Sequence, residues 1–128
     1  MKLASVASWH EALNVGDSDR VARLSAVQVE LQGPRGVARG RHGMRTWAAS
    51  AGVELVPTRW FCGARDEVVV AQNATWTRAG GRRTDPVTVA TAFRVEDGLI
   101  GYVARFDRLA DALTSLGLVA ADEVLAHQ

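Results

Sequence analysis

Arg105 and Asp107 are the charged pair best spaced for chemistry. They lie two apart in "LIGYVARFD", a run that reads as a strand, so their side chains share one side of it. A guanidinium beside a carboxylate can bind a polar substrate group or help move a proton. The same residues also fit a structural ion pair, or an Asp capping a helix that starts near Leu109. Other reactive side chains are scattered. Cys62 is the only cysteine, so neither an intrachain disulfide nor a multi-cysteine metal site can form. It sits near a strand end and reads as a small core residue. His10, His42 and His127 share no metal-ligand spacing, and His10 reads as a surface or helix-edge residue. No metal and no cofactor are expected.

"QGPRGVARGRHGMR", residues 32–45, holds four glycines and four arginines. A phosphate-binding loop needs its glycines between a buried strand and a helix, closed by Gly-Lys-Ser/Thr; Gly40-Arg41-His42 does not supply that. A dinucleotide fingerprint needs a parallel strand–helix–strand unit, which the pattern lacks. Local roles remain: Gly33 and Gly36 turn a hairpin, Gly40 starts a helix, and the arginines lie on rim and surface.

The 128 residues suggest one domain spanning 1–128. A chain of this size buries roughly two-thirds of its unfolded surface, enough for a core without staples. Fifteen basic residues face fourteen acidic ones, for a net charge of +1. That balance argues against a nucleic-acid partner. Neither an apolar signal core nor a membrane-length run is visible, so no membrane association and a cytoplasmic location are expected.

The elements that must hold these residues follow from periodicity. Leu3 to Leu13 reads as a helix with Val6, Trp9, Leu13 and, at the margin, His10 on one side. Gly16 ends it, and Asp17 or Ser18 caps a short second helix with Val21 and Leu24 facing in. Val27, Val29 and Leu31 alternate with polar residues, as in a half-buried strand. "GPRG" is a turn into a short return strand, Val37–Arg39. A third helix covers roughly Arg41 to Ser50, with Met44 and Trp47 on one face. Val53–Cys62 and Glu67–Thr77 form a hairpin through "GARD"; "RAGGRRTDP" is a solvated loop. Val87–Val95 and Leu99–Asp107 form another hairpin through "EDG". Leu109 to Leu116 is a closing helix, and the tail to Gln128 adds a further turn. The fold class is α+β, with helices on one face of a curved sheet.

"WHEALNVGDSDRVARL" resembles the opening of ketosteroid-isomerase-like and SnoaL-like proteins of the nuclear transport factor 2-like superfamily. The hairpin with its Gly-led helix and "FRVEDGLI" agree, so the resemblance runs from about Trp9 to Leu116. It implies a cone-shaped barrel: a strongly curved mixed, mainly antiparallel sheet wrapped around N-terminal helices, with a deep apolar pocket. It also implies a homodimer through the outer sheet face. The ketosteroid isomerases use an Asp base with a Tyr and a protonated Asp as donors. By matching, those positions here are Leu31, Trp9 and Thr91, so that chemistry is not expected. The matching turns Val103, Arg105 and Asp107 toward the pocket and Tyr102, Ala104 and Phe106 outward. An Arg-x-Asp pair is similar in residue types to limonene-epoxide-hydrolase-like members, but their mechanism needs a second carboxylate and the inward positions offer none.

The expected pocket lining is Trp9, Leu31, Met44, Trp47, Thr91, Phe93 and Val103. Arg59 is an anion-binding candidate, although only one of Arg59 and Trp60 can face inward. Trp60 and Trp76 depend on strand register, and one of them could serve a dimer interface. Three functions compete. They are a binder of a small hydrophobic molecule, an enzyme on a polycyclic or terpenoid metabolite using Arg105 and Asp107 with His10 or Thr91 as a further polar group, and a dimeric interaction module.

Overall fold

The computed structural model describes residues 1–33 and 36–125. Pro34 and Arg35, at the tip of the expected "GPRG" turn, lie outside the described residues, as do residues 126–128. The elements are α1 (Lys2–Asn14), α2 (Ser18–Arg23), β1 (Ser25–Gly33), β2 (Gly36–Arg39), α3 (Gly40–Ser50) and β3 (Val53–Cys62). They continue with β4 (Glu67–Trp76), β5 (Val87–Glu96), β6 (Leu99–Phe106), α4 (Leu109–Ser115) and β7 (Glu123–Val124). One seven-stranded sheet runs β2-β1-β6-β5-β4-β3-β7. β1 is parallel to β6, and every other pairing is antiparallel. The cone is an open curved sheet rather than a closed barrel, because β2 and β7 are its two edges.

Strand alternation divides the side chains between two cores. The inner face carries Val29, Leu31, Val68, Val70, Val89, Phe93 and Val103, packed with Val6, Trp9 and Leu13 of α1, Val21 of α2 and Met44 of α3. The outer face carries Phe61, Val69, Ala90 and Ala92 under Ala112 and Leu113 of α4, with Leu118 beyond it. The face that the resemblance makes a dimer surface is thus partly covered by α4. The register-matched strip Val56, Asn73 and Thr88 on that face is exposed.

Bulges reset the alternation. Between Pro57 and Arg59, β3 slips one residue against β4. Before the slip Leu55 points inward; after it Trp60 does, and Arg59 faces out. β1 shifts against β6 between Ser25 and Glu30, which leaves Val27 exposed although Val29 and Leu31 are buried. The expected inward trio of Val27, Val29 and Leu31 is corrected to the last two.

The "ALN-x-GD" stretch has a job at each position. Leu13 enters the core. The Asn14 Nδ2–H donates to Leu55 O at 2.8 Å, and Asn14 Oδ1 accepts from Leu55 N at 2.9 Å. The amide thus pairs with β3 as a neighbouring strand would and pins α1 across the inner face. Gly16 takes φ +78, where a side chain would be strained. Asp17 Oδ1 accepts from Arg20 N at 3.0 Å and caps α2. Glycine-rich residues 32–45 likewise serve locally. Gly33 and Gly36 are register partners, Gly40 has φ +78, and Arg39, Arg41 and Arg45 reach Glu30, the Ser25 carbonyl and Asp19. Among the described residues no helix is long and apolar enough to cross a membrane.

Asn14→Ala leaves both Leu55 backbone groups without these partners. It should destabilise the protein by about 2 kcal/mol, read as a lower urea midpoint at unchanged slope. An unchanged midpoint would contradict the clamp.

Candidate functional site

A cavity of about 800 Å³ opens on the inner face, between α3, β1, β2 and the paired ends of β3 and β4. Trp9, Trp47 and Trp76 give it aromatic walls, Leu31, Val53 and Leu55 add apolar surface, and Thr91 and Arg105 supply polar groups. Thr91 and Arg105 are directly paired across β5 and β6, so their side chains are immediate neighbours. Trp9 stacks on Trp47 at 6.0 Å between ring centroids and meets the Phe93 edge at 5.1 Å. These contacts pack Trp9 between Trp47 and Phe93. The lining contains no carboxylate among the described residues, but it includes Arg78 and Arg105. Its electrostatic character is therefore positive.

Behind Thr91 runs a buried chain of polar groups. His10 Nδ1 lies 2.8 Å from Val6 O. A carbonyl only accepts, so Nδ1 carries the proton and Nε2 is bare. The Gln72 Nε2–H donates to His10 Nε2 at 2.8 Å, and the Thr91 hydroxyl donates to Gln72 Oε1 at 2.8 Å. Exposure is 3% for His10, 0% for Gln72 and 2% for Thr91, so these three groups must satisfy one another. Burial lowers the His10 pKa from 6.5 to about 4, against a smaller raising effect of the Val6 hydrogen bond. The imidazole is neutral at physiological pH.

Two buried donors lack partners among the described residues: Trp9 Nε1 and Arg105 Nε. Both belong to residues that line the cavity. Arg105 also sets its guanidinium over the Trp76 ring, 5.2 Å from the centroid. Its contact with Asp107 is loose, Nη2 to Oδ1 3.8 Å, and the Asp107 side chain is 87% exposed.

The family model for the SnoaL-like domain matches residues 6–103. The chain belongs to the SnoaL-like domain family. Its solved structural relatives include a hypothetical protein with a ketosteroid isomerase-like fold from Catenulispora acidiphila, in complex with trimethylamine. That pair shares 20% identity over 91% of this chain and 95% of the other, with a TM-score of 0.73. The epoxide hydrolase/cyclase-like enzyme SalBIII, with a role in pyran ring formation in polyether salinomycin, is 19% identical over 97% and 95%, TM-score 0.73. A putative polyketide cyclase from Sinorhizobium meliloti is 18% identical over 80% and 93%, TM-score 0.70. At such identities the likeness establishes the nuclear transport factor 2-like fold and not a shared activity. No curated protein matches the sequence significantly.

Within this SnoaL-like frame the cavity brings together Trp9, Leu31, Trp47, Thr91 and Arg105. Met44, Phe93 and Val103 are buried in the core beneath it rather than in its lining. Arg59 lies on the surface and forks onto Glu123 of β7, Nε to Oε2 3.0 Å and Nη2 to Oε1 2.8 Å. It takes no part in the cavity because the β3 bulge turns it outward. Asp107 is outside the cavity lining; it lies in an adjoining depression that also includes Arg105, Gln32 and Phe106. Nor does it cap α4, whose N-cap is Arg108 with no side-chain cap bond. Trp60 and Trp76 both point inward, so neither serves the outer face. Cys62 is half-buried, and burial pushes its thiol pKa up, as expected for an inert core thiol.

His10 corrects the reading of a surface or helix-edge residue, and with Gln72 it is what that reading missed. Its faint signal is Gln72 itself, an amide among the otherwise apolar inward positions Val68, Val70, Ala74 and Trp76 of β4. Since folding lowers the His10 pKa, the unfolded state binds its proton first as pH falls. Stability from neutral His10 is full above pH 6.5 and is lost as pH falls through about 4. Between pH 7 and about pH 4, wild type should lose about 3 kcal/mol more than His10→Gln. Urea unfolding of both proteins checks this, and parallel pH profiles would contradict it.

Proposed function

We propose that this SnoaL-like protein binds a small, flat, hydrophobic molecule in the cone cavity, anchored by one oxygen function. The observation that carries this reading is the pair of buried donors, Trp9 Nε1 and Arg105 Nε, without partners among the described residues, on side chains that line a cavity walled by indoles. A buried N–H without an acceptor costs about 1–3 kcal/mol. A ligand oxygen at this point removes that cost, while its rings lie against Trp47 and Trp76. About 800 Å³ accommodates a molecule of two to four fused rings.

The enzymatic alternative, an isomerase, cyclase or epoxide-hydrolase-like activity using Arg105 and Asp107, draws less support. Leu31 cannot act as a base, Asp107 is turned to solvent, and neutral His10 has both nitrogens committed within the protein. The polar groups left at the cavity can hold an oxygen but offer no site for an abstracted proton.

6-Hydroxynaphthalene-2-sulfonate, a flat fused-ring molecule carrying a hydroxyl and a negative charge, is a suitable probe. At about a hundredfold over its dissociation constant it should stabilise the protein by about 3 kcal/mol, visible as a clear rise in melting temperature. Arg105→Leu should weaken binding about tenfold or more, and Asp107→Asn should leave it within about twofold. Absence of stabilisation by any fused-ring probe would overturn the binding reading.

A further inference from the structure

The cavity's hydrogen-bonding polarity is set from behind. Each link of the His10–Gln72–Thr91 chain has only one workable direction. Val6 O must accept, so His10 Nδ1–H points to it and Nε2 must receive a hydrogen. That turns the Gln72 NH₂ toward His10 and its Oε1 toward Thr91. The Thr91 hydrogen is then committed to Gln72. Only the lone pairs of Thr91 Oγ1 remain for the cavity that this residue lines. Its cross-strand neighbour Arg105, and Trp9, contribute only N–H groups. Where Thr91 meets Arg105 and Trp9 the cavity thus presents an acceptor beside donors; Gln32, Ser50, Thr77 and Arg78 are the other polar side chains of its lining.

A ketone, ether or carboxylate can only accept. Placed against Thr91 it would set lone pair against lone pair. A hydroxyl answers both sides, because its oxygen accepts from Trp9 or Arg105 while its hydrogen goes to Thr91. We propose that the cavity selects, among flat hydrophobic molecules, those bearing a hydroxyl, and that His10 and Gln72 are positioning residues that set this preference. The inference rests on the binding reading above and adds the class of ligand.

Calorimetric titration with 2-naphthol and with 2-methoxynaphthalene tests it, because the two share a ring system and an acceptor oxygen and differ in the donor. Wild type should prefer 2-naphthol by about tenfold or more, since sites built around a substrate hydroxyl reject analogues without it. Thr91→Val, nearly the same shape without the acceptor, should bring the two affinities within about threefold. Gln72→Leu frees the Thr91 hydrogen to turn into the cavity, and should raise affinity for 2-methoxynaphthalene relative to 2-naphthol. A merely structural role for Gln72 would instead weaken both compounds together. Should Gln72→Leu fail to fold, Thr91→Val alone decides. Equal wild-type affinities, or a preference that survives Thr91→Val, would overturn the inference and leave the binding reading standing. Binding of neither compound, nor of 6-hydroxynaphthalene-2-sulfonate, would overturn both.

Discussion

Gln72 lies with no exposure in the middle of an apolar sheet, and a primary amide cannot be buried there without partners for its polar ends. The partners come from opposite directions, His10 from the helix and Thr91 from the adjacent strand. This requirement ties α1 to β4 and β5 in a single rotational setting. Rotating the helix by one residue would replace His10 with an apolar or charged neighbour and leave the amide unsatisfied. The same setting aims Trp9 at Trp47 and Phe93 and brings Asn14 to the Leu55 backbone. Hydrophobic burial supplies most of the stability of such a domain. The buried polar contacts add direction, because they are satisfied in one arrangement only.

The cavity follows from that arrangement. α1 fills the inner face from β3 to β6, whereas α3 stands against β1 and β2 at one end of the sheet. Between them the paired ends of β3 and β4, Val53 opposite Trp76, lead to residues 77–79 at the cavity. Indoles make the walls because they are large, stiff and held by one another. Polar groups meet at the floor, where β5 and β6 place Thr91 beside Arg105. Thr91 and Arg105 thus set a polar floor against the indole walls, while Gln32, Ser50, Thr77 and Arg78 add polar groups elsewhere on the lining. The indoles give affinity without discrimination, and the floor provides the discrimination.

Much of the fold was legible in the sequence, because strand alternation and helix periodicity are local signals. The spans of α1, α3, the β3–β4 and β5–β6 hairpins and α4 follow from spacing, and the "ALN-x-GD" stretch points to the family. Other features turned on interactions between distant residues. The Thr58 bulge decides whether Arg59 or Trp60 faces inward, and its one local mark is Pro57, whose lack of an N–H suits a bulge. β7 pairs with β3 through a contact spanning 64 residues, Arg59 to Glu123. His10 reads as a surface or helix-edge residue on α1 because its partner is 62 residues away on β4. Asp107 shares parity with Arg105, but β6 ends at Phe106 and the chain leaves the sheet before parity can apply. For the site, Trp9, Leu31, Trp47, Thr91 and Arg105 were named from the resemblance and do meet at the cavity. The chain of hydrogen bonds behind Thr91 was out of reach without coordinates.

The central claim is that a ligand oxygen meets the buried donors of Trp9 and Arg105. The most direct measurement is the indole N–H spectrum of ¹⁵N-labelled protein during titration with 2-naphthol, the Trp9 signal being identified by its loss in Trp9→Phe. The Trp9 resonance should move downfield as its N–H gains an acceptor, while that of Trp60, outside the cavity lining, stays in place. Saturable binding that leaves the Trp9 resonance unmoved would contradict the claim.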